Sequence, residues 1–177
     1  FAAATKGNII LENANATHIT PIISKLEEAE CKIETSKNKI KIIAPKKLKA
    51  IDIKTMPYPG FPTDLQPQMG VVLATANGTS IINESIWESR FQYTDELNKM
   101  GAKITAQGKS AFFEGVEKLY GAPVYSTDLR AGAALIIAGV AAEGITEIYN
   151  LEHIDRGYED IEGRFRAIGA NIKRVTE

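Results

Sequence analysis

The sequence has little of what marks a disulfide-bonded, membrane-spanning or metal-binding protein. Its 177 residues include a single cysteine, Cys31, which excludes an intrachain disulfide and favours a reducing, cytoplasmic setting. The longest apolar run, residues 131–142, has 12 residues, which is too short to span a bilayer and is typical of a buried helix. The two histidines have no cysteine at ligand spacing, and no Gly-rich phosphate loop is present. We therefore expect neither a metal site nor a cofactor.

The charge of the chain argues against two classes of partner. The formal net charge is −1 and 44% of the residues are apolar, which suits one domain with a core of its own and gives no basic face for nucleic acid. We expect no membrane partner either. Lysines cluster in residues 37–49, where Lys39 and Lys41 alternate with isoleucines. This alternation favours the solvated face of an edge strand, on which lysine discourages aggregation.

The sequence repeats itself. The dipeptide Thr-Asp occurs at residues 63–64 and 127–128, each time before an apolar segment that leads through glycine into a β-like run. A second shared pattern starts at Leu97 and Phe165, and more loosely at Leu26, which gives intervals of 71 and 68 residues. Each copy is predicted to be a β-α-β-α-β-β unit. The three expected units are residues 1–50, which is truncated, residues 51–120 and residues 121–177.

The first copy is expected to be incomplete. One period before Asp64 falls ahead of residue 1, and no initiator methionine is present, so we expect a piece of a longer polypeptide. Residues 1–4 then correspond to the end of the missing helix. Cys31 falls opposite Ala102 and Ala170 in the repeat, which indicates a small packed residue and not a nucleophile.

The pattern of apolar residues predicts an α/β fold. The predicted helices are residues 17–29, 64–76 and 94–100, together with the buried helix in residues 131–142. The predicted strands are residues 8–12, 32–35, 39–44, 51–55, 80–84, 103–106, 111–114, 123–125 and 172–175.

The corner before the second Thr-Asp helix is rich in proline. Three prolines in residues 57–62 favour extended geometry, so we expect Thr63 to cap the helix and Asp64 to lie in its first turn. The positive end of the helix would lower the pKa of this carboxyl, which makes it a poorer base unless burial or another carboxylate opposes the effect. Two interpretations stay open: a catalytic acid, or a helix-start residue that recurs as Asp128.

Arginines lie at corner positions of the repeat. Arg90, Arg130 and Arg156 could converge on a small polyanion, because guanidinium groups match carboxylate and phosphate. The alternative is that they pair with nearby acids, Asp155 with Arg156 and Asp128 with Arg130.

Three strings resemble a known family. Phe-Pro-Thr-Asp-Leu-Gln at residues 61–66, Thr-Asp-Leu-Arg-Ala at 127–131 and His-Ile-Asp-Arg-Gly-Tyr-Glu at 153–159 resemble the C-terminal half of the UDP-N-acetylglucosamine enolpyruvyl transferases. The resemblance covers the whole chain. It implies the family's inside-out α/β barrel of β-α-β-α-β-β units about a pseudo-threefold axis. It also implies a second globule, with the active site in the cleft between the two.

The resemblance implies roles for individual residues. Asp64 would be the base near the acceptor hydroxyl, and Asp128 would lie beside the reacting centre. The implied substrate-binding residues are Arg130 and Arg156 for phosphoenolpyruvate, Arg90 as added positive charge, and Ile86 as a backbone contact to the UDP-sugar.

The implied reaction moves the enolpyruvyl group of phosphoenolpyruvate to the 3-hydroxyl of UDP-N-acetylglucosamine and releases phosphate. This is the first committed step of peptidoglycan synthesis, and so bears on cell-wall biogenesis, cell shape and division. The family's cysteine-bearing loop belongs to the other globule and Cys31 does not replace it, so we expect no turnover from this chain alone. An uncovered cleft face would favour self-association. An enolpyruvyl transferase with another acceptor, such as shikimate 3-phosphate, and a non-catalytic scaffold are the alternatives.

Overall fold

Three small sheets and a pair of central helices make up the computed structural model, which describes residues 1–175. The helices are α1 (Thr20–Glu28), α2 (Gln66–Ala74), α3 (Tyr93–Lys99), α4 (Leu129–Ala141), α5 (Glu152–Asp155) and α6 (Ile161–Ala167), with 3-10 turns at Ala16–Ile19 and Thr63–Leu65. The strands are β1 (Asn8–Glu12), β2 (Lys32–Ser36), β3 (Lys39–Ile43), β4 (Ile53–Lys54), β5 (Thr79–Asn83), β6 (Lys103–Gln107), β7 (Ser110–Glu114), β8 (Pro123–Tyr125) and β9 (Glu147–Tyr149).

The first sheet has the order β1-β3-β2 and is antiparallel throughout. The prediction that Lys39 and Lys41 mark an edge strand is wrong, because β1 pairs with the edge of β3 that the β2–β3 hairpin leaves open. The alternation itself is present: Ile40 is fully buried, while Lys39 is exposed and lies 2.7 Å from the carboxylate of Glu12. A central strand with one wet face shows the same pattern as an edge strand.

Two parallel strand pairs place the Thr-Asp corners. The second sheet has the order β4-β5-β7-β6, in which β4 and β5 are parallel, and the third sheet is the parallel pair β8-β9. Parallel neighbours end at the same edge of a sheet. The corner after β4 and the loop after β5 therefore lie side by side, and so do the segments that follow β8 and β9.

The core is built around α2 and α4, which pack against each other. Both helices are buried on nearly all sides, which confirms the buried helix predicted from the apolar run of residues 131–142. Gly70 allows the close approach of α3 to α2, because a Cβ at this position would overlap the hydroxyl of the fully buried Tyr93. None of the described helices is long and apolar enough to cross a membrane.

Most predicted elements are observed, with shifted ends. The strands at residues 8–12 and 123–125 have the predicted bounds, whereas the strand at 51–55 shrinks to the two residues of β4. The helices expected from residues 17 and 64 both begin as 3-10 turns. The two α-helices that follow these turns, α1 and α2, each have a proline in the first turn. Proline lacks an N–H, so within a helix it is tolerated in the first turn and not in the interior.

The predicted strand at residues 172–175 is wrong. Its counterpart in the second unit, β6, pairs with β7, but this segment pairs with no described strand. Side chains hold it instead: Ile172 packs beside α6, and Arg174 binds acids of α5 and α6. Residues 176 and 177, the last two of the expected third unit, lie outside the described residues.

The N-terminal segment packs against the end of the chain. Residues 2–6 form turns, Ala2 to Ala4 are buried, and the ring of Phe1 meets that of Phe165 edge-on at 4.9 Å. The first and third units are therefore in direct contact.

Candidate active site

Asp64 lies at the edge of the second sheet, in the 3-10 turn that follows the proline-rich corner. Its side chain is 59% exposed. The expectation that Thr63 caps this helix is wrong: the residue before the turn is Pro62, and the hydroxyl of Thr63 donates to Oε2 of Glu84 at 2.9 Å. A buried carboxylate needs its donors, and the turn leaves Thr63 free to be one of them.

Two arginines converge on Asp64. The Nε of Arg130, at the start of α4, donates to Oδ1 of Asp64 at 2.6 Å. A terminal nitrogen of Arg90, from the loop after β5, lies 3.8 Å from the same oxygen. The alternative in which the side chain of Arg130 pairs with Asp128 is therefore wrong. These contacts join the corners of the second and third units.

Asp128 makes different contacts from Asp64, although both follow threonine. It is the N-cap of α4, with an extended backbone, and its Oδ1 accepts hydrogen bonds from the N–H groups of Arg130 at 2.7 Å and Ala131 at 3.1 Å. This cap fixes the first turn of α4, from which the side chain of Arg130 reaches Asp64.

Arg90 is held in place by an aromatic ring and is almost fully buried. Its side chain is 8% exposed, and its guanidinium carbon lies 5.4 Å from the ring centroid of Trp87, a cation–π contact. The Nε of Arg90 is buried without a hydrogen-bond partner among the described residues. Arg90 thus gives the site a positive charge and an N–H donor, at Nε, that an anionic ligand could accept from.

Arg156 is exposed, in the loop after α5. The alternative in which it pairs with Asp155 is wrong, because Asp155 receives two hydrogen bonds from Arg174, at 2.9 and 2.7 Å. No described residue forms an ion pair with Arg156. The next residue, Gly157, lies against Leu129, since a Cβ there would approach a methyl of Leu129 to 2.8 Å. The loop that carries Arg156 therefore passes the N-terminus of α4, close to Arg130.

Ile86 and Glu84 follow β5 at the same sheet edge. The side chain of Ile86 is 42% exposed, and its N–H donates to Oε1 of Glu84 at 2.8 Å. Sequence reasoning missed Glu84, which is 2% exposed and binds both the corner and this loop. The one available signal was an acid at the end of a predicted strand, at the sheet edge where the corner also lies.

The arginines decide the protonation of Asp64. The hydrogen bond from Arg130 lowers the pKa of the Asp64 carboxyl, partial burial opposes this, and the charges of Arg130 and Arg90 lower it further. The same pair raises the pKa of Arg130. A lowered pKa was expected from the helix N-terminus, but its main cause is the arginine. The cluster therefore holds an ionised carboxylate among cations that suit a small polyanion.

Comparisons with known proteins show which sequences and folds the chain resembles. A family model described as EPSP synthase (3-phosphoshikimate 1-carboxyvinyltransferase) matches residues 1–165. UDP-N-acetylglucosamine 1-carboxyvinyltransferase 2 of Carboxydothermus hydrogenoformans is 53% identical over 99% of the chain and 42% of its own length. UDP-N-acetylglucosamine 1-carboxyvinyltransferase of Desulfofundulus thermocisternus is 52% identical over 98% of the chain and 72% of its own length.

Solved structures share the fold. The enolpyruvyl transferase NikO of Streptomyces tendae matches with a TM-score of 0.88 at 24% identity, over 99% of this chain and 43% of its own. EPSP synthase of Acinetobacter baumannii matches with a TM-score of 0.78 at 19% identity, over 98% of this chain and 45% of its own. These likenesses confirm the predicted fold class, and the chain spans about two fifths of the Carboxydothermus relative. The match over residues 1–165, with relatives at about half identity, shows that the chain belongs to the enolpyruvyl transferase family described by the EPSP synthase model.

Proposed function

We propose that the protein containing this chain transfers the enolpyruvyl group of phosphoenolpyruvate to the 3-hydroxyl of UDP-N-acetylglucosamine and releases phosphate. The observation that carries the proposal is the ionised Asp64 held by Arg130 and Arg90 at one sheet edge. The names of the relatives at about 50% identity support the choice of acceptor. We further propose that the reaction is completed by residues outside this chain, so that the 177 residues alone have no turnover.

Arg130 links substrate binding to the base. The Nε of Arg130 is bonded to Asp64, and this bond is the main cause of the lowered pKa of that carboxyl. A phosphate or carboxylate that binds Arg130 competes with Asp64 for the guanidinium. Once the arginine binds the substrate, Asp64 becomes more basic and can accept the proton of the acceptor hydroxyl. Arg156, which has no ion pair within the described residues, and the unpartnered Nε of Arg90 add donors for the same anion.

The proposed steps are an addition to an enol phosphate followed by an elimination. The hydroxyl oxygen bonds to C2 of phosphoenolpyruvate as its proton passes to Asp64, and C3 takes a proton from a group outside this chain. The tetrahedral intermediate then loses phosphate from C2 and a proton from C3, which restores the double bond in the transferred enolpyruvyl group. The cluster orients both anions and offsets their charge. Asp128 lies beside the reacting centre and fixes the first turn of α4. The backbone contact of Ile86 to the UDP-sugar would use its carbonyl oxygen, because its N–H is bonded to Glu84.

Phosphate release by the full-length protein tests the proposal. Phosphoenolpyruvate is offered with UDP-N-acetylglucosamine or with shikimate 3-phosphate, and we expect release with the UDP-sugar only. Asp64→Asn should lower kcat by about 100-fold or more, the range of a lost general base. Asp95→Asn is the matched control, because Asp95 is exposed on α3. Equal activity of the two variants would contradict a catalytic role for Asp64.

Shikimate 3-phosphate is a second candidate acceptor. The description of the family model and the Acinetobacter structure favour it. Release with this acceptor alone would keep the site and change the substrate. If no phosphate is released with either acceptor, a non-catalytic scaffold becomes the better interpretation.

We also propose that the protein acts in the cytoplasm in cell-wall biogenesis, and through it in cell shape and division. The single buried cysteine is consistent with a reducing compartment. Depletion of the protein in its host should raise the level of UDP-N-acetylglucosamine and give misshapen cells. A normal nucleotide-sugar pool after depletion would contradict this placement.

A further inference from the structure

We propose that Glu84 is a positioning residue that sets the relative placement of Asp64 and Arg90, an inference that rests on the proposed function. Its carboxylate is buried and accepts four hydrogen bonds. Oε1 accepts from the hydroxyl of Thr55 at 2.7 Å and from the N–H groups of Ile86 at 2.8 Å and Trp87 at 3.1 Å. Oε2 accepts from the hydroxyl of Thr63 at 2.9 Å.

These four bonds join three segments of the site. Thr55 follows β4, Thr63 directly precedes Asp64, and the loop of residues 86–90 carries Trp87 and Arg90. The fully buried Thr55 also receives a hydrogen bond from the N–H of Ser85 at 2.9 Å, which closes the network on itself. A substitution of Glu84 is therefore expected to shift Asp64 through the adjacent Thr63. It is expected to shift Arg90 through Trp87, whose ring contacts the guanidinium.

The number of donors explains why the residue is a glutamate. An ionised carboxylate is an acceptor only, with two oxygens and about four lone-pair sites. All four donors of this network are thereby satisfied at one buried side chain. A glutamine would present one oxygen and an NH₂ group. With its oxygen toward Thr55 and the loop, the NH₂ group would face Thr63, whose hydroxyl would have to accept a hydrogen bond where it now donates one.

The third unit shows that the repeat itself does not demand this carboxylate. Asn150 follows β9 as Glu84 follows β5, and it makes a single long contact, 3.5 Å, from its amide to the carbonyl of Ser126. There Asp128 directly caps its helix. The buried carboxylate of Glu84 thus occurs in the unit in which Asp64 does not cap its helix and contacts two arginines instead.

Thr63→Val in the full-length protein separates positioning from a role in folding alone. It removes one of the four donors and is close in shape to threonine. We expect kcat to fall by about tenfold or more, since small misplacements of reacting groups are costly, while KM for UDP-N-acetylglucosamine changes little. Thr63→Ser keeps the hydroxyl and should restore kcat. Thr105→Val, on the exposed face of β6, is the matched control, and Glu84→Gln should lower kcat and raise that KM.

Hydrogen exchange of the same proteins is the second readout. Thr63→Val should speed amide exchange in residues 63–66, and Glu84→Gln should do so in residues 86–90 as well, with residues 103–107 unchanged. Unchanged kcat in Thr63→Val, or a loss that Thr63→Ser does not restore, would overturn the proposal. If the wild type releases no phosphate, the proposed function is wrong and exchange alone decides. Faster exchange at residues 63–66 then still supports the link between Glu84 and the corner, and unchanged exchange refutes it.

Discussion

In the proposed reaction, the basicity of the Asp64 carboxylate depends on whether Arg130 is bonded to it or to the substrate. The carboxylate bonds to Arg130 and lies near Arg90, which keeps it ionised but weakly basic. This resolves the conflict that the sequence posed between a low pKa and a role as base. The substrate would supply the change in pKa by withdrawing the arginine, and neither burial nor a second carboxylate is needed.

Arg130→Met should raise the pKa of Asp64 toward its ordinary value of 3.8. The variant removes the largest cause of the lowering, while Arg90 remains 3.8 Å away and preserves part of it. The measurement is a carbon NMR titration of the Asp64 carboxyl in both proteins. Arg166→Met, on the exposed face of α6, is the control and should leave the titration unchanged. An unmoved pKa in Arg130→Met would show that the ion pair does not hold the carboxylate.

At the scale of the elements, two similar strings produce two kinds of helix start. Asp128 bonds to two backbone N–H groups and caps α4, whereas Asp64 bonds to side chains across the molecule and leaves its turn without a side-chain cap. The difference follows from the segments before them. The long corner after β4 places Thr63 within hydrogen-bond distance of Glu84. The short link after β8 keeps Asp128 at the N-terminus of its own helix.

Asp128→Ala should lower the free energy of unfolding by about 1 kcal/mol, the usual cost of losing an N-cap. Asp128→Asn keeps an acceptor and should cost only a few tenths of a kcal/mol. Asp64→Ala removes a half-exposed ion pair, for which screening by solvent leaves about 0–1 kcal/mol, so its effect should be smaller than that of Asp128→Ala. Urea unfolding of the three variants checks the order. A greater loss in Asp64→Ala would mean that the corner is chiefly structural.

For the whole molecule, side chains and not strand pairing tie down the end of the described chain. Arg174 binds Asp155 of α5 and Glu162 of α6, each at 2.7 Å. Its hydrogen bonds lower the pKa of both acids. Acids with a lowered folded-state pKa stabilise the fold above their unfolded values, here 3.8 and 4.5, and lose that contribution as the pH falls through the folded values.

The Arg174 cluster therefore predicts a stability difference that disappears in acid. Arg174→Gln should unfold more easily than the wild type at pH 7, by about 1 kcal/mol or less because these side chains are partly exposed. The two proteins should converge below the folded pKa values of Asp155 and Glu162. Denaturant unfolding at neutral and acidic pH measures this, with the exposed Arg166→Gln as control. A difference that persists in acid would exclude the ion pairs as its cause.

The sheet edge that carries the site is also an apolar surface. Tyr58 is 79% and Trp87 59% exposed, and Met56 and Ile86 are exposed beside them. We expect the 177-residue chain to self-associate through this patch, because such surfaces are normally covered. Sedimentation velocity at increasing concentration should show oligomers, and Tyr58→Ser with Trp87→Ser should reduce them. Ile145→Ser, exposed elsewhere, is the control; a chain that stays monomeric at every concentration would refute the expectation.

Local sequence patterns predicted most of the secondary-structure elements but few of the contacts that form the candidate site. The strands at residues 8–12 and 123–125 and the apolar α4 follow from periodicity and turn residues, which neighbouring positions determine. The order of the first sheet and the strand expected at residues 172–175 depend on pairing partners that periodicity does not encode. The bond between Thr63 and Glu84 spans 21 positions, and that between Asp64 and Arg130 spans 66. Only the resemblance to a family brought the second pair into one site.

The two Thr-Asp corners differ in length, which bears on how much change the fold tolerates there. Nine residues separate β4 from Asp64, and two separate β8 from Asp128. Lengthening a surface turn by this amount costs on the order of 1 kcal/mol of chain entropy, while the strands and central helices on either side keep their packing. The corner before Asp64 can therefore take up inserted or deleted residues without disturbing the core. It is accordingly the place at which to graft or trim residues when the chain is redesigned.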